Sequence, residues 1–239
     1  MTMTFESGTS DHTVGTTYDF DLVAVDLYRD IHKGIRAELF DVTLAAGRID
    51  PSCRADRAAV AGHVFSVGQV LESHADHEDF HLEPLLLEHA PSLAEQITCD
   101  HHVLEARFGF VKELAQASVD AVTADQRRLM HLLYLELSGF TSAYLAHQLV
   151  EERVVMPAIE QAVGPEGALG VHIAIVSSIP PEEMARSLAF MLPAMNLDDR
   201  TEMLTGMKMS APTEAFDAVT GLARSVLEPS DFTALAARL

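Results

Sequence analysis

The sequence contains no tryptophan and only two cysteines, Cys53 and Cys99, among its 239 residues. Two thiols are too few for a disulfide scaffold and suit a reducing cytoplasm. Basic side chains are scarce as well: 16 Lys and Arg stand against 36 Asp and Glu, for a net charge of −20. Phosphate binding needs a basic footprint, so this balance argues against a nucleic-acid partner. It argues equally against docking on an anionic membrane. No apolar run reaches the roughly 18 residues of a transmembrane helix. Residues 1–20, polar and rich in Thr, lack the basic start and apolar centre of a signal peptide and read as a flexible tail. No convincing alternating strand pattern occurs anywhere.

What remains is a globular composition, 48% hydrophobic, on a chain long enough to bury a core. Apolar residues recur with a period close to 3.6, which predicts four long helices. They span about Leu22–Ala46, Arg54–His89, Ser92–Ala117 and Ala124–Val163, with breaks at "GRIDP", "HAP" and "VGPEG". Long helices with short connections imply antiparallel neighbours, hence an all-α, up-down four-helix bundle over residues 21–165. Beyond Gly164 the segments shorten. Over 177–239 they open on Pro or Asp, as helix starts do, and they carry a methionine stripe (Met184, Met191, Met195, Met203, Met207). This predicts a C-terminal extension of short helices, packed on the bundle or on a partner, with the methionines as adaptable core.

Twelve histidines are many for this length, and one phrase using them occurs twice. "HADHEDFHLEP" from His74 and "HQLVEERVVMP" from His147 both read His, three residues, Glu, five residues, Pro. Residues four apart lie about 40° apart on a helix. His74 and Glu78 therefore share the apolar stripe of Val67, Leu71 and Leu85. His147 and Glu151 share that of Leu133, Phe140 and Ala158, while Glu152, at about 140° from His147, faces away. The first helix offers His32 between Tyr28 and Ile35. The third offers His101 at the edge of its stripe, preferred over His102, with Glu105 one turn later.

A single histidine on an apolar face is more often core than ligand, and the argument rests on the coincidence across four helices. Buried carboxylates are normally protonated, paired or bound to metal. Mixed imidazole and carboxylate donors suit iron, manganese or zinc, and two inward Glu residues suit a pair of metals. The other histidines are less promising. His12 and His172 fall in tail or loop, His89 ends a helix, and His131 lies off the inward stripe. His63 and His81 read as core or rim, His77 as surface, and Cys99 points away from His101.

At this point the sequence resembles the hemerythrin-like family of HHE cation-binding domains. The resemblance covers about Leu22 to Val163 and is carried by "DIHKGIR", "HADHEDFHLEP", "DHHVL" and "HQLVEERVVMP". It implies an up-down bundle around a non-haem di-iron centre with an oxo or hydroxo bridge. Terminal ligands would fall on His32, His74, His101 and His147, and bridges on Glu78 and Glu151. Where the oxygen carriers of the family have a second histidine on the third helix, this chain has Glu105. The expected seventh ligand is therefore Glu105, with a water or an inward tyrosine as alternatives, and its charge argues against reversible oxygen carriage. Tyr28 and Tyr144, one turn before His32 and His147, read first as packing residues, with a gate, a hydrogen-bond donor to bound peroxide or a phenolate ligand as alternatives.

The expected function is redox handling of a small oxidant (oxygen, hydrogen peroxide or nitric oxide) by two iron ions, with manganese or zinc as substitutes. Alternatives are a metal- or oxygen-sensing module signalling through the C-terminal extension, and a di-iron oxygenase acting on an organic substrate. The expected partner is a diatomic or peroxide ligand, with no nucleic acid or membrane, in a monomer or homodimer.

Overall fold

A computed structural model describes residues 23–239. His12 and the expected tail over 1–20 lie outside the described residues. Among those described, the elements are helices, without a strand. No single described helix is long and apolar enough to cross a membrane.

Residues 23–28 are not helical, although the periodicity placed them in the first helix. Backbone N–H groups of Ala24 and Val25 donate to Glu160 Oε2, and those of Tyr28 and Arg29 to Asp26 Oδ1. Asp26 thus satisfies first-turn donors, as a capping side chain does, and α1 runs Arg29–Arg48. Next come α2 (Arg54–His81), α3 (Glu83–His89), α4 (Pro91–Asp120) and α5 (Thr123–Val150). The expected second helix is thus two, broken at Leu82. Pro84 has no N–H to continue the hydrogen-bond ladder.

The expected fourth helix does not end at Val163. After α5 comes one turn of π-helix, Glu151–Val155, then α6 (Met156–Ser178). Gly164 (φ 72°, ψ 170°) interrupts α6 in a conformation that favours glycine, and Pro165 restarts it. Four shorter helices follow: α7 (Pro181–Ala194), α8 (Leu197–Ser210), α9 (Thr213–Val226) and α10 (Pro229–Ala236). They open at or beside Pro, Asn and Asp as the sequence suggests, and Asn196 caps α8 by accepting from Asp199 N–H.

Helix α1 packs on α2 and α5, and α4 packs on the same two, closing a ring of four. Two apolar layers fill it. The larger joins Ile35, Leu71, Leu104, Phe108, Phe140 and Tyr144 with many aliphatic residues. The smaller joins Tyr28, Leu82, Leu86, Ile97, Val155 and Met156, and α6 contributes Ile159 and Ala168 to it. A third cluster, around Leu188, Leu192, Leu204 and Leu235, belongs to α7–α10. Met195 is buried, Met184 and Met203 pack on that cluster, and Met191 lies against α1. Burying each large aliphatic side chain contributes roughly 1.5–3 kcal/mol, which allows the protein to hold a polar layer between the apolar ones.

Candidate metal centre

On every helix of the ring, one polar stretch separates the two apolar layers. His32 lies between Tyr28 and Ile35 on α1, and His74 and Glu78 between Leu71 and Leu82 on α2. His101 lies between Ile97 and Leu104 on α4, and His147 and Glu151 between Tyr144 and Val155 across α5 and the π-turn. All six polar side chains are buried. Their donor atoms form two groups, each within 4.8 Å: His32, His74, Glu78 and Glu151, and Glu78, His101, His147 and Glu151. The two carboxylates are common to both.

The donor atoms crowd one another around one buried space. His32 Nε2 is 3.1 Å from His74 Nε2. Two imidazole nitrogens about 2.1 Å from one ion, at a right angle, would stand about 3.0 Å apart. Glu151 Oε2 lies 3.4 Å from His32 Nε2 and its Oε1 2.7 Å from His147 Nε2. Glu78 Oε2 lies 3.6 Å from His74 Nε2 and 3.4 Å from His101 Nε2. Even so, Glu78 Oε1, both Glu151 oxygens and His101 Nε2 have no aligned hydrogen-bond partner among the described residues. Each such buried polar atom costs on the order of 1–3 kcal/mol, more when charged. A multivalent cation among them would offset that cost, so this donor set fits a metal.

Two of the ring nitrogens on the far side, those of His32 and His101, are tied down. His32 Nδ1 donates to Glu152 Oε1 at 2.9 Å, and Arg36 grips the same carboxylate with two bonds of 2.6 and 3.0 Å. His101 Nδ1 donates to Asp79 Oδ1 at 2.8 Å. Asp100 Oδ2 is 3.8 Å from His147 Nδ1. A carboxylate on Nδ1 orients each ring so that Nε2 faces the cluster, where metal binding would displace any proton it carries.

Electrostatics match this layout. Burial, then the neighbouring His32 charge, drives His74 down to about 3, so it is a neutral imidazole at pH 7. Burial pushes the Glu78 carboxyl up, and the nearby Glu151 charge adds to it. Burial acts on Glu151 in the same sense, but the imidazoles of His101 and His147 outweigh it and hold Glu151 low. For His101, burial opposes charge, yet contacts with Glu151, Glu78 and Asp79 raise it to about 11. Burial also raises Tyr28 and Tyr144, helped by the Glu78 and Glu151 charges, so both phenols stay protonated.

Six of the expected metal residues converge, and the seventh does not. Glu105 is exposed and outside both groups. Its helix explains why: His101 already stands at the edge of the stripe, and Glu105 lies a further about 40° round towards solvent. The charge argument built on Glu105 falls with it. Glu152, expected to face away, instead supports His32. The π-turn inserts an extra residue into the helical repeat, so adjacent Glu151 and Glu152 address the cluster and α1 respectively; such turns are frequent at functional sites. The helical pattern does not single out Asp79, although its place beside Glu78 is a usable signal. Gln148, beside His147, is fully buried with neither amide atom paired. Away from the cluster, His63 pairs with Glu38, His81 Nε2 meets Ser178 Oγ, and His77 lies 3.8 Å from Glu183. His89, His131, His172 and Cys99 are exposed.

A helical ring around buried imidazoles and shared carboxylates defines a metal-binding helical protein. The signature of the hemerythrin HHE cation-binding domain matches residues 23–173, and the chain belongs to that family. No curated protein and no solved structure matches it.

Proposed function

We propose that the ring is an up-down bundle holding two iron ions side by side, and that the pair binds and reacts with oxygen, hydrogen peroxide or nitric oxide. One observation carries this reading: Glu78 and Glu151 belong to both ligand groups, each completed by two histidines. Two imidazoles with two carboxylates suit iron, and manganese or zinc can replace it. The short connections 49–53 and 121–122, joining helices that pack on each other, support antiparallel neighbours. The two free cysteines support a cytoplasmic setting.

Bound iron would supply one-electron redox chemistry and open coordination positions for a small ligand. The chain supplies geometry and access. Glu152 and Asp79 orient His32 and His101. A cavity of about 10 Å³ reaches the cluster at Glu78 and His101, walled by Leu82, Leu86, Ala94 and Ile97. That is room for about one water-sized molecule, which favours a diatomic or peroxide over an organic substrate. Tyr28 lines the same cavity with a protonated hydroxyl, placed to donate a hydrogen bond there. Tyr144 lies between Phe140, tilted against it, and His147, met edge-on, and serves packing.

Protein purified without chelator should carry two irons per chain, and its ferrous form should change absorbance on rapid mixing with at least one of the three oxidants. No change with any of them removes the reading.

A sensing role has a specific observation in its favour. Lys33, next to His32, pairs with Asp199; Phe190 lies over Gly34; and Ser73, next to His74, donates to Glu183. Metal occupancy could therefore reach α7 and α8. Limited proteolysis of metal-free and iron-loaded protein decides this, and identical cleavage of 177–239 in both forms rejects it.

A further inference from the structure

The cavity beside the cluster has an acidic mouth that ligation does not use. Asp79, about half exposed, and Glu83, partly buried, line it on one side, and Thr98 lines it on the other. Thr98 Oγ donates to Glu83 Oε1 at 2.7 Å, which holds that carboxylate against α4. The break at Leu82 puts Glu83 there: α2 ends, Pro84 starts a new helix, and Glu83 occupies its first turn. At the inner end stand two buried side chains with unpaired atoms, Glu78 Oε1 and His101 Nε2. Carboxylates thus line the way from surface to centre, with Asp79 and Glu83 at the mouth, then Glu78 and then Glu151.

A neutral oxidant gains nothing from such a sequence of charges. A divalent cation gains there, because carboxylate oxygens at the mouth replace its waters before it enters the narrow cavity, and low-dielectric walls focus their field. The geometry points to this cavity as the path by which metal cations load the centre, with Glu83 and Asp79 together as the capture residues at its mouth. This rests on the metal-centre reading above. Asp79 also orients His101, so the clean test falls on Glu83, whose carboxylate, among the described residues, bonds Thr98 and no ligand side chain.

The test is stopped-flow uptake of Co²⁺ by the full metal-free chain, followed by cobalt absorbance, for the wild type, Glu83→Gln and Glu214→Gln. Glutamine keeps the bond from Thr98, and exposed Glu214 on α9 controls for the change in net charge. Glu83→Gln should load roughly tenfold more slowly. Its final stoichiometry should match the wild type, its deficit should shrink as salt rises, and Glu214→Gln should load at the wild-type rate. Equal rates in all three proteins, or equal slowing in both variants, overturns the loading path while the metal centre stands. Absence of uptake by every form overturns both.

Discussion

Glu152 and Arg36 act on the centre through His32, because the Arg36 fork fixes the carboxylate that fixes the imidazole. Burial disfavours the Glu152 charge, yet the bonds from His32 and Arg36 outweigh it and bring its pKa to about 2. Glu152→Gln keeps the shape and removes the charge. Metal affinity should fall by about tenfold to a hundredfold, read by competition with a chromophoric chelator, while the helical circular dichroism is unchanged. The buried groups also set a pH dependence for the metal-free chain. Because the His101 pKa is raised to about 11, its contribution to stability is complete below its ordinary value of 6.5 and is lost as pH climbs towards 11. Glu78, raised by burial, works in the same direction, since the fold favours its protonated form. The thermal midpoint of metal-free protein should therefore drop between about pH 7 and about pH 10. A flat or rising midpoint over that interval would contradict this account. His74 works the other way: its neutral form is the buried one, so its contribution is lost as pH falls from 6.5 towards about 3.

Among the elements, α1 carries the widest responsibilities, with His32 and Ile35 facing the ring and Gly34 facing α7. A Cβ on Gly34 would lie 2.6 Å from Phe190 Cδ2, so the aromatic ring sits where any other residue would project. Gly34→Leu should cost about 1–3 kcal/mol in chemical denaturation and speed proteolysis around 179–196, because overpacking must lift α7. The helix boundaries show how far local pattern reaches. Periodicity located the starts of α2, α4 and α5 and the ends of α1 and α4 to within a few residues, and local chemistry moved the other boundaries. Asp26 and Glu160 took the backbone donors before α1, and Pro84 cut one expected helix into α2 and α3. Gly164 reads as a terminator in sequence. In the fold it only redirects the chain, because Ala168, Val171 and Ile175 still find apolar partners beyond it.

On the scale of the whole molecule, a net charge of −20 surrounds a centre that itself gathers buried acids. Cation binding relieves both, so metal should stabilise the native state strongly. Iron at a hundredfold above its dissociation constant contributes about 2.7 kcal/mol per site. Removing it with a chelator should lower the thermal midpoint by several degrees with little change in helix content, because the apolar layers on either side persist without it. A midpoint indifferent to chelation would mean that the donors do not depend on metal.

The sequence alone determined that the chain is helical and which side of each helix is apolar, because a helix repeats every 3.6 residues whatever surrounds it. It also placed His32, His74, Glu78, His101, His147 and Glu151 on inward faces, since each lies in or at the edge of an apolar stripe. Tertiary structure decided which further acids meet the imidazoles: Asp79 and Glu152 came to the ring nitrogens of neighbouring helices. Those outcomes depend on how each helix is rotated in its packing and on one π-turn. An ideal angle per residue carries no information about either.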